Sequence, residues 1–467
     1  MPKLFRVLLP CTFLAVFCTT LTAANALQQP KDFSEIEKVA AEELHQTNTP
    51  GAAIAVIRGD RVVFAKGAGI SNIETGTPVT PDMLFRLGST TKMFTAAALV
   101  TLAEAGRVRL DQPIGNFVSG LHPKIAALTA HELLTHTSGM LDEAPMYGSQ
   151  DDDALAREVR SWKEDRFFTE PGDIYSYSNP GFWLAGFVVQ EVSGKPYADA
   201  MVDRIFTPLG MTHTTLRPTM AMTYPLAQGH DFSPGKGPFI IRPHANNSAS
   251  WPAGSIFSNV NDLSRFVIAF MNGGQLEGKQ VLPPAVIEKL STPHVDTPDA
   301  PGSKYGYGLT IRDFRGVHMV QHGGSRAGYG SLIWMVPDQR FAVIILANRS
   351  GASLDKTAEK AMEMFLPLTP KPEPKPLVEL PISEAEKAEW VGTYQNLPTD
   401  KIEIFARDGK LFLRRGTSEL PLRKTAENQV SAGAPGNPRQ AQFTFVRGKD
   451  GRTLYLHSGG RAFRKAG

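Results

Sequence analysis

A serine and a lysine three residues apart, Ser89 and Lys92 in the run Phe85-Arg86-Leu87-Gly88-Ser89-Thr90-Thr91-Lys92-Met93-Phe94, are the pair in this sequence best suited to covalent chemistry. At the start of a helix that spacing puts a hydroxyl and an amine on one face, one turn apart. Serine is a weak nucleophile at neutral pH and needs a neighbour to take its proton; the backbone N–H groups of a helix N-terminus favour the negative charge that develops. The chemistry open to such a pair is attack on a carbonyl. The same residues would also serve as an N-cap serine and a solvated lysine, and the S-x-x-K spacing arises readily by chance in a chain of 467 residues. The rest of the chain has to decide.

Three further stretches carry candidate groups. Phe168 to Gly181 is dense in turn formers and polar side chains, with Tyr177, Ser178 and Asn179 just ahead of the apolar run Phe182 to Val192. Loops that precede a helix often hold site residues, although these hydroxyls and the amide could equally satisfy one another in a buried turn. His322-Gly323-Gly324-Ser325-Arg326-Ala327-Gly328 follows a β-rich run. His131-Glu132 suggests zinc, but the next histidine, His136, falls at i+5, roughly 140° around a helix of about 3.6 residues per turn, so the two cannot close on one ion. No metal or other cofactor is expected. No G-x-S-x-G elbow is present, which argues against an α/β-hydrolase.

The elements that must position these groups follow from periodicity. Lys31 to about Gln46 has helical spacing, and two β-rich runs, Ala52 to Ile57 and Val62 to Ala65, flank the turn Arg58-Gly59-Asp60. In the Ser89 helix Phe94, Ala97, Ala98, Leu102 and Ala105 recur at helical spacing up to Gly106. Thr129 reads as the N-cap of a short helix ending at Gly139, and a helix is expected near Asp262 to Asn272 in an otherwise turn-rich region. Val317 to Gln321, Tyr329 to Val336 and Phe341 to Ala347 read as strands, with His322 to Gly328 and Pro337 to Arg340 as their links, and Leu354 to Phe365 reads as a last helix. Strands at both ends with helices between imply an α+β fold: one antiparallel sheet, closed by the N- and C-terminal segments and flanked by helices, with a helical region inserted.

Composition and address bound the rest. Residues 1–26 read as a secretory signal peptide, with Lys3 and Arg6 ahead of an apolar run and Ala24-Asn25-Ala26 at its end. Its removal leaves 47 basic against 46 acidic residues and takes both cysteines, Cys11 and Cys18, so the remainder offers no disulfide and no thiol nucleophile. No basic patch suggests nucleic acid, and no later run is long enough to span a membrane. The expected product is exported, to the periplasm or beyond, with a small-molecule or peptide substrate as its partner. Residues 27–366 would form the large domain, 367–376 a proline-rich spacer, and 377–467 a small antiparallel β-barrel. The barrel's expected strands are Trp390 to Tyr394, Lys401 to Phe405, Lys410 to Arg414, Gln442 to Val446 and Thr453 to His457. The barrel shows no catalytic constellation of its own.

Taken together, Ser89-Thr90-Thr91-Lys92, Tyr177-Ser178-Asn179 and His322-Gly323-Gly324-Ser325, in that order, resemble the serine β-lactamase and penicillin-binding-protein family, most closely its class C β-lactamase, D-amino-acid peptidase and esterase branch. The likeness covers about residues 31 to 366, with Leu133 to Gly139 and Pro171-Gly172 in agreement; the tail resembles the lipocalin-like barrel appended to some members. The resemblance implies that Ser89 forms an acyl-enzyme, that Lys92 accepts its proton or lowers the pKa of Tyr177, and that Tyr177 acts as general base and then protonates the leaving group. It further implies that Asn179 holds the substrate's acyl side and Lys92. The N–H groups of Ser89 and Ser325 would form the oxyanion hole on an edge strand opened by Gly323 and Gly324. His322 replaces the Lys of the β-lactamase Lys-Thr-Gly motif, exchanging a permanent cation for one donor and a switchable charge, which leaves β-lactam hydrolysis in doubt but not acyl transfer. Arg326 is either the replacement cation or a solvated side chain. Peptidase, carboxylesterase and β-lactamase activities all remain open, beside a penicillin-recognising sensor that acylates without turnover and an idle scaffold.

Overall fold

The structure is a computed structural model describing residues 32–373, 378–433 and 440–466. The expected leader, both cysteines and positions 374–376 of the expected spacer lie outside the described residues.

A nine-stranded antiparallel sheet organises the large domain. Its strands are β1 (Gly51–Arg58), β2 (Arg61–Asn72), β3 (Thr77–Pro78), β4 (Val295–Asp296), β5 (Ser303–Tyr305), β6 (Thr310–Phe314), β7 (Val317–Arg326), β8 (Tyr329–Val336) and β9 (Phe341–Ala347). Their spatial order is β4-β5-β6-β7-β8-β9-β1-β2-β3, so the N-terminal hairpin closes onto the last strand, in register from Ala52 opposite Ala347 to Arg58 opposite Phe341. β8 and β9 are buried from end to end, which is why they read as continuous apolar runs rather than as an alternation. Both faces are covered. On one, Ile54, Val56, Val343 and Ile345 meet helices α1 (Ser34–Thr47) and, at the far end of the large domain, Asp355–Phe365, through Ile36, Ala40, Ala358 and Phe365. On the other, Ala53, Ala55, Ile344 and Leu346 meet the inserted helical region through Phe94 and Phe266.

Within that region α2 (Thr91–Glu104) and α3 (Asn179–Ser193) are apolar on nearly every side, as suits helices enclosed by others. The short helix after Thr129 forms with a capping box to Glu132, but stops at Leu134 rather than at Gly139. The main departure from expectation concerns β7. His322 to Arg326, expected as a link because of its glycines, continues the strand against β8, and the chain turns only at Ala327-Gly328. The neighbour on its other side, β6, pairs no further than Gln321, so His322 to Arg326 forms an open edge.

The tail is a closed barrel of eight antiparallel strands between Gly392 and Lys465. Three of these were not anticipated: Ser418–Ala426, Gln429–Ala432 and Arg461–Lys465. In the first, Pro421 and the charged Glu419, Arg423 and Lys424 obscure the alternation. Trp390, expected to open a strand, instead ends a capped helix, Glu384–Trp390, and stacks on Phe445 inside the barrel at 4.3 Å. The hairpin Thr453–Ser458/Arg461–Lys465 docks on residues 168–179 of the large domain. There Tyr455 and Ala462 pack on Ile174, the Tyr455 and Thr169 hydroxyls lie 2.6 Å apart, and the Tyr177 N–H donates to the Gly460 carbonyl at 2.8 Å.

Candidate active site

Ser89 lies in a single 3-10 turn, Gly88–Thr90, that leads into α2. Gly88 adopts a left-handed φ of 58°, and a Cβ there would fall 2.6 Å from the backbone nitrogen of Ser325. A Cβ on Gly324 would fall 1.9 Å from the Leu87 carbonyl oxygen and 3.0 Å from the Ser89 nitrogen. Two stretches of backbone, 87–89 and 324–325, therefore pack against each other with no room for side chains. Ser331 on β8 pins this approach, donating to the Leu87 carbonyl at 2.6 Å and lying 2.7 Å from the Thr90 hydroxyl. The Ser89 and Ser325 amides thus share one corner, at the open edge of β7.

Lys92, one turn into the helix, is fully buried. Its Nζ lies 3.3 Å from Ser89 Oγ, and donates to Asn179 Oδ1 and to the Ala253 carbonyl at 2.7 Å each. Burial holds the amine well below the usual lysine range; the Arg461 and Arg326 cations push the same way, and Asp142 opposes them. Tyr177 presents its ring to Lys92, whose Nζ stands 4.8 Å from the ring centroid. Its phenol is raised by burial, against the expectation that Lys92 would lower it; the Ser89 hydroxyl and the Arg461 charge act in the lowering direction. His136, whose ring lies 4.2 Å from that of Tyr177, supports the phenol from below and accepts the Ser178 N–H at 3.1 Å. Burial holds His136 neutral. His131 is elsewhere, 2.9 Å from the Tyr307 hydroxyl.

Asn179 is the first residue of α3, and Ser178 caps that helix by accepting the Gly181 N–H at 3.2 Å. With Oδ1 on Lys92, its Nδ2 donates to Asp142 Oδ1 at 3.0 Å and its backbone N–H to the same oxygen at 2.8 Å. One amide N–H is left for a substrate. The other carboxylate oxygen of Asp142 receives Arg461 from the barrel, through Nε at 2.8 Å and Nη2 at 2.5 Å. Nothing in the sequence singles out Asp142 or Arg461. A lone acid and a lone arginine 319 positions apart carry no spacing signal, and only the docking of the barrel joins them.

His322 departs from expectation. Its Nδ1 lies 2.5 Å from the Gly323 carbonyl and donates there, leaving Nε2 to accept from the Tyr305 hydroxyl at 3.1 Å. Burial and the nearby Lys92 push it down to about 3, so the ring is a fixed neutral group rather than a switchable charge. The structure thus brings together Ser89, Lys92, Tyr177, Asn179, His322, Gly323, Gly324 and Ser325, and adds Asp142, Arg461 and the Ala253 carbonyl. Among the described residues, no group of three or more histidines, cysteines or acids is placed to hold a metal ion.

Residues 36–363 match the Beta-lactamase family model, and the chain belongs to that family of serine hydrolases. It is 28% identical over 421 residues to an unguisins hydrolase of Aspergillus campestris, covering 79% of this chain and 77% of that protein. The crystal structure of SurE aligns over 93% of this chain and 99% of its own, with a TM-score of 0.76 at 24% identity. The octameric penicillin-binding protein homologue from Pyrococcus abyssi aligns over 93% of this chain and its full length, with a TM-score of 0.64 at 26% identity. The two structural alignments take in the barrel as well as the large domain.

Proposed function

We propose that this protein is an exported hydrolase that cleaves an amide or ester bond through an acyl-enzyme on Ser89. The observation that carries the reading is the setting of Lys92. A neutral amine has two N–H bonds and one lone pair. With both N–H groups taken by Asn179 Oδ1 and the Ala253 carbonyl, at 2.7 Å each, the lone pair is left for the hydroxyl of Ser89. Lys92 accepts the serine proton as Oγ attacks, and the two carbonyl oxygens already in place stabilise the ammonium formed. Oxyanion charge collects at the N–H groups of Ser89 and Ser325. Tyr177, whose phenol remains protonated, passes a proton to the leaving group and is restored from Lys92; water then repeats the sequence on the acyl-enzyme.

Within that reaction the setting of His322 favours a peptide or simple ester over a β-lactam, because a neutral imidazole already bonded to Tyr305 offers no cation to a penicillin carboxylate. The likeness to an unguisins hydrolase supports a hydrolase. Export rests on the leader-like residues 1–26. The test compares wild type with Ser89→Ala on p-nitrophenyl acetate, a D-amino-acid p-nitroanilide and a chromogenic cephalosporin. Turnover of either of the first two, lost in Ser89→Ala, is the expected result. Equal rates for the two proteins on all three substrates would refute the proposal, and a stoichiometric burst without turnover would indicate a penicillin-recognising sensor instead.

A further inference from the structure

The edge of β7 has a direction. Tyr177, the proton donor to the leaving group in the reading above, lies toward its His322 end, with the two rings 6.5 Å apart. The leaving group therefore departs at that end, and the acyl part of the substrate runs the other way, past Ser325 toward Arg326.

Arg326 occupies that acyl end. Its Nη2 donates to Ser250 Oγ at 3.0 Å, and its Nε is buried without a partner. Ser250 immediately precedes the short helix Trp251–Gly254 that supplies the carbonyl for Lys92, so Arg326 is tied to the wall of the same site. Behind it lies Arg86, fully buried. Arg86 donates to the Ala245 carbonyl and to Ser255 Oγ, lies 3.1 Å from His244 Nε2 and stands over the Phe257 ring, and its own Nε is unpartnered. Among the described residues no carboxylate lies within 4.0 Å of either guanidinium, whereas Arg217 and Arg265 in the same domain meet Asp152, Asp199 and Glu277. Each of the two cations is held down by burial, Arg86 to about 9 with Arg326 adding to the effect and Arg326 to about 10. Two like charges placed together out of water without an acid are costly unless a ligand brings the anion. Exposed Met146 and Tyr147 stand on a loop clasped to residues 243–247, where Asn247 Nδ2 donates to the Pro145 carbonyl at 3.0 Å and the Gly148 N–H to that of Asn246 at 3.1 Å.

We propose that Arg326, with Arg86 behind it, forms an anion subsite at the acyl end of the groove, and that the substrate carries a carboxylate on its acyl part, within a few bonds of the scissile carbonyl. With Nη2 on Ser250 and Nε buried, Nη1 is the part of the Arg326 guanidinium left to meet a carboxylate. The proposal rests on the Ser89 hydrolase reading for its direction, and deepens that reading by naming the charge of the acyl group.

The test uses p-nitrophenyl butyrate and the p-nitrophenyl monoesters of succinic and glutaric acids. Wild type should prefer at least one monoester, with kcat/KM for that substrate falling as salt is raised. In Arg326→Met the monoester-to-butyrate ratio of kcat/KM should fall by about 10- to 100-fold, and Arg326→Lys should recover part of it. An unchanged ratio in Arg326→Met overturns the subsite. Calorimetric titration of glutarate into Ser89→Ala, and into the same protein carrying Arg326→Met, reads the subsite without turnover. Binding lost with Arg326 supports it, and binding that is absent or indifferent to Arg326 overturns it. A wild type inert toward all three esters and toward the D-amino-acid p-nitroanilide that still binds glutarate through Arg326 would refute the hydrolase and leave the subsite standing.

Discussion

Arg461 is the residue through which the barrel should be felt in catalysis. Its two bonds to Asp142 end on a carboxylate whose side chain is 11% exposed, while the arginine side chain itself is 37% exposed. Removing one partner of a fully buried pair costs about 3–5 kcal/mol, and an exposed pair contributes about 0–1. The solvent access of Arg461 puts its removal between the two, at about 1–3 kcal/mol. Asp142 holds both the backbone and the side chain of Asn179, and Asn179 holds Lys92, so part of that loss falls on the geometry of the base. The charge matters as well. Asp142 pulls the Lys92 amine upward and Arg461 pushes it downward; without the arginine the acid is opposed only by burial and Arg326, and the amine holds its proton to higher pH. Arg461→Met should therefore lower kcat by about 10- to 100-fold on a p-nitrophenyl ester and shift the acid limb of the pH–rate profile to higher pH. The acid-limb shift separates this from simple loosening of the barrel. Lys449→Ala, which removes an ion pair to Asp173 at the same interface from a lysine 92% exposed, should leave both readings near wild type. A wild-type kcat with an unmoved acid limb in Arg461→Met would refute the coupling.

Two further outcomes are expected. Gly324→Ala places a methyl group where backbone atoms already stand 1.9 and 3.0 Å away, so β7 must withdraw from Ser89; loss of one oxyanion donor predicts a drop of about 10²–10³ in kcat, and an ester-hydrolysis rate within threefold of wild type would contradict the close approach. Stability should fall on mild acidification. His136 and His322 are neutral when folded, with His322 at about 3 against 6.5, so below pH 6.5 the unfolded chain binds more protons than the native one and stability is lost as pH falls toward the folded values. At pH 5 that amounts to about 2 kcal/mol for His322. Melting temperatures measured from pH 7 to pH 5 should decline, less steeply in His322→Asn, and identical slopes for the two proteins would remove His322 as a cause.

How much of this was legible in the sequence depends on whether a group declares itself locally. Ser89 and Lys92 sit on one helix at a fixed spacing, and Tyr177 and Asn179 are two residues apart on one turn, so their mutual positions follow from nearby backbone. The central strands of the sheet announced themselves as apolar runs, because helices bury both of their faces. Gly323 and Gly324 read as a turn but lie on a straight strand: Gly324 lacks a side chain because Leu87 and Ser89 press on it, whereas Gly323 has room for one. The protonation states were out of reach, since they come from burial and from charges assembled from distant parts of the chain. His322 is neutral because burial and the nearby Lys92 amine hold it down, against the pull of its bond to the Gly323 carbonyl. The clearest omission lies in the barrel, where no cluster of reactive residues occurs. A single arginine after the turn Gly459-Gly460 reaches the candidate site, where it meets Asp142 beside groups that the large domain has already gathered. A barrel that delivers one charge to a nearly finished site leaves no motif in its own sequence, and it makes docking, rather than the barrel's interior, the property on which catalysis should depend.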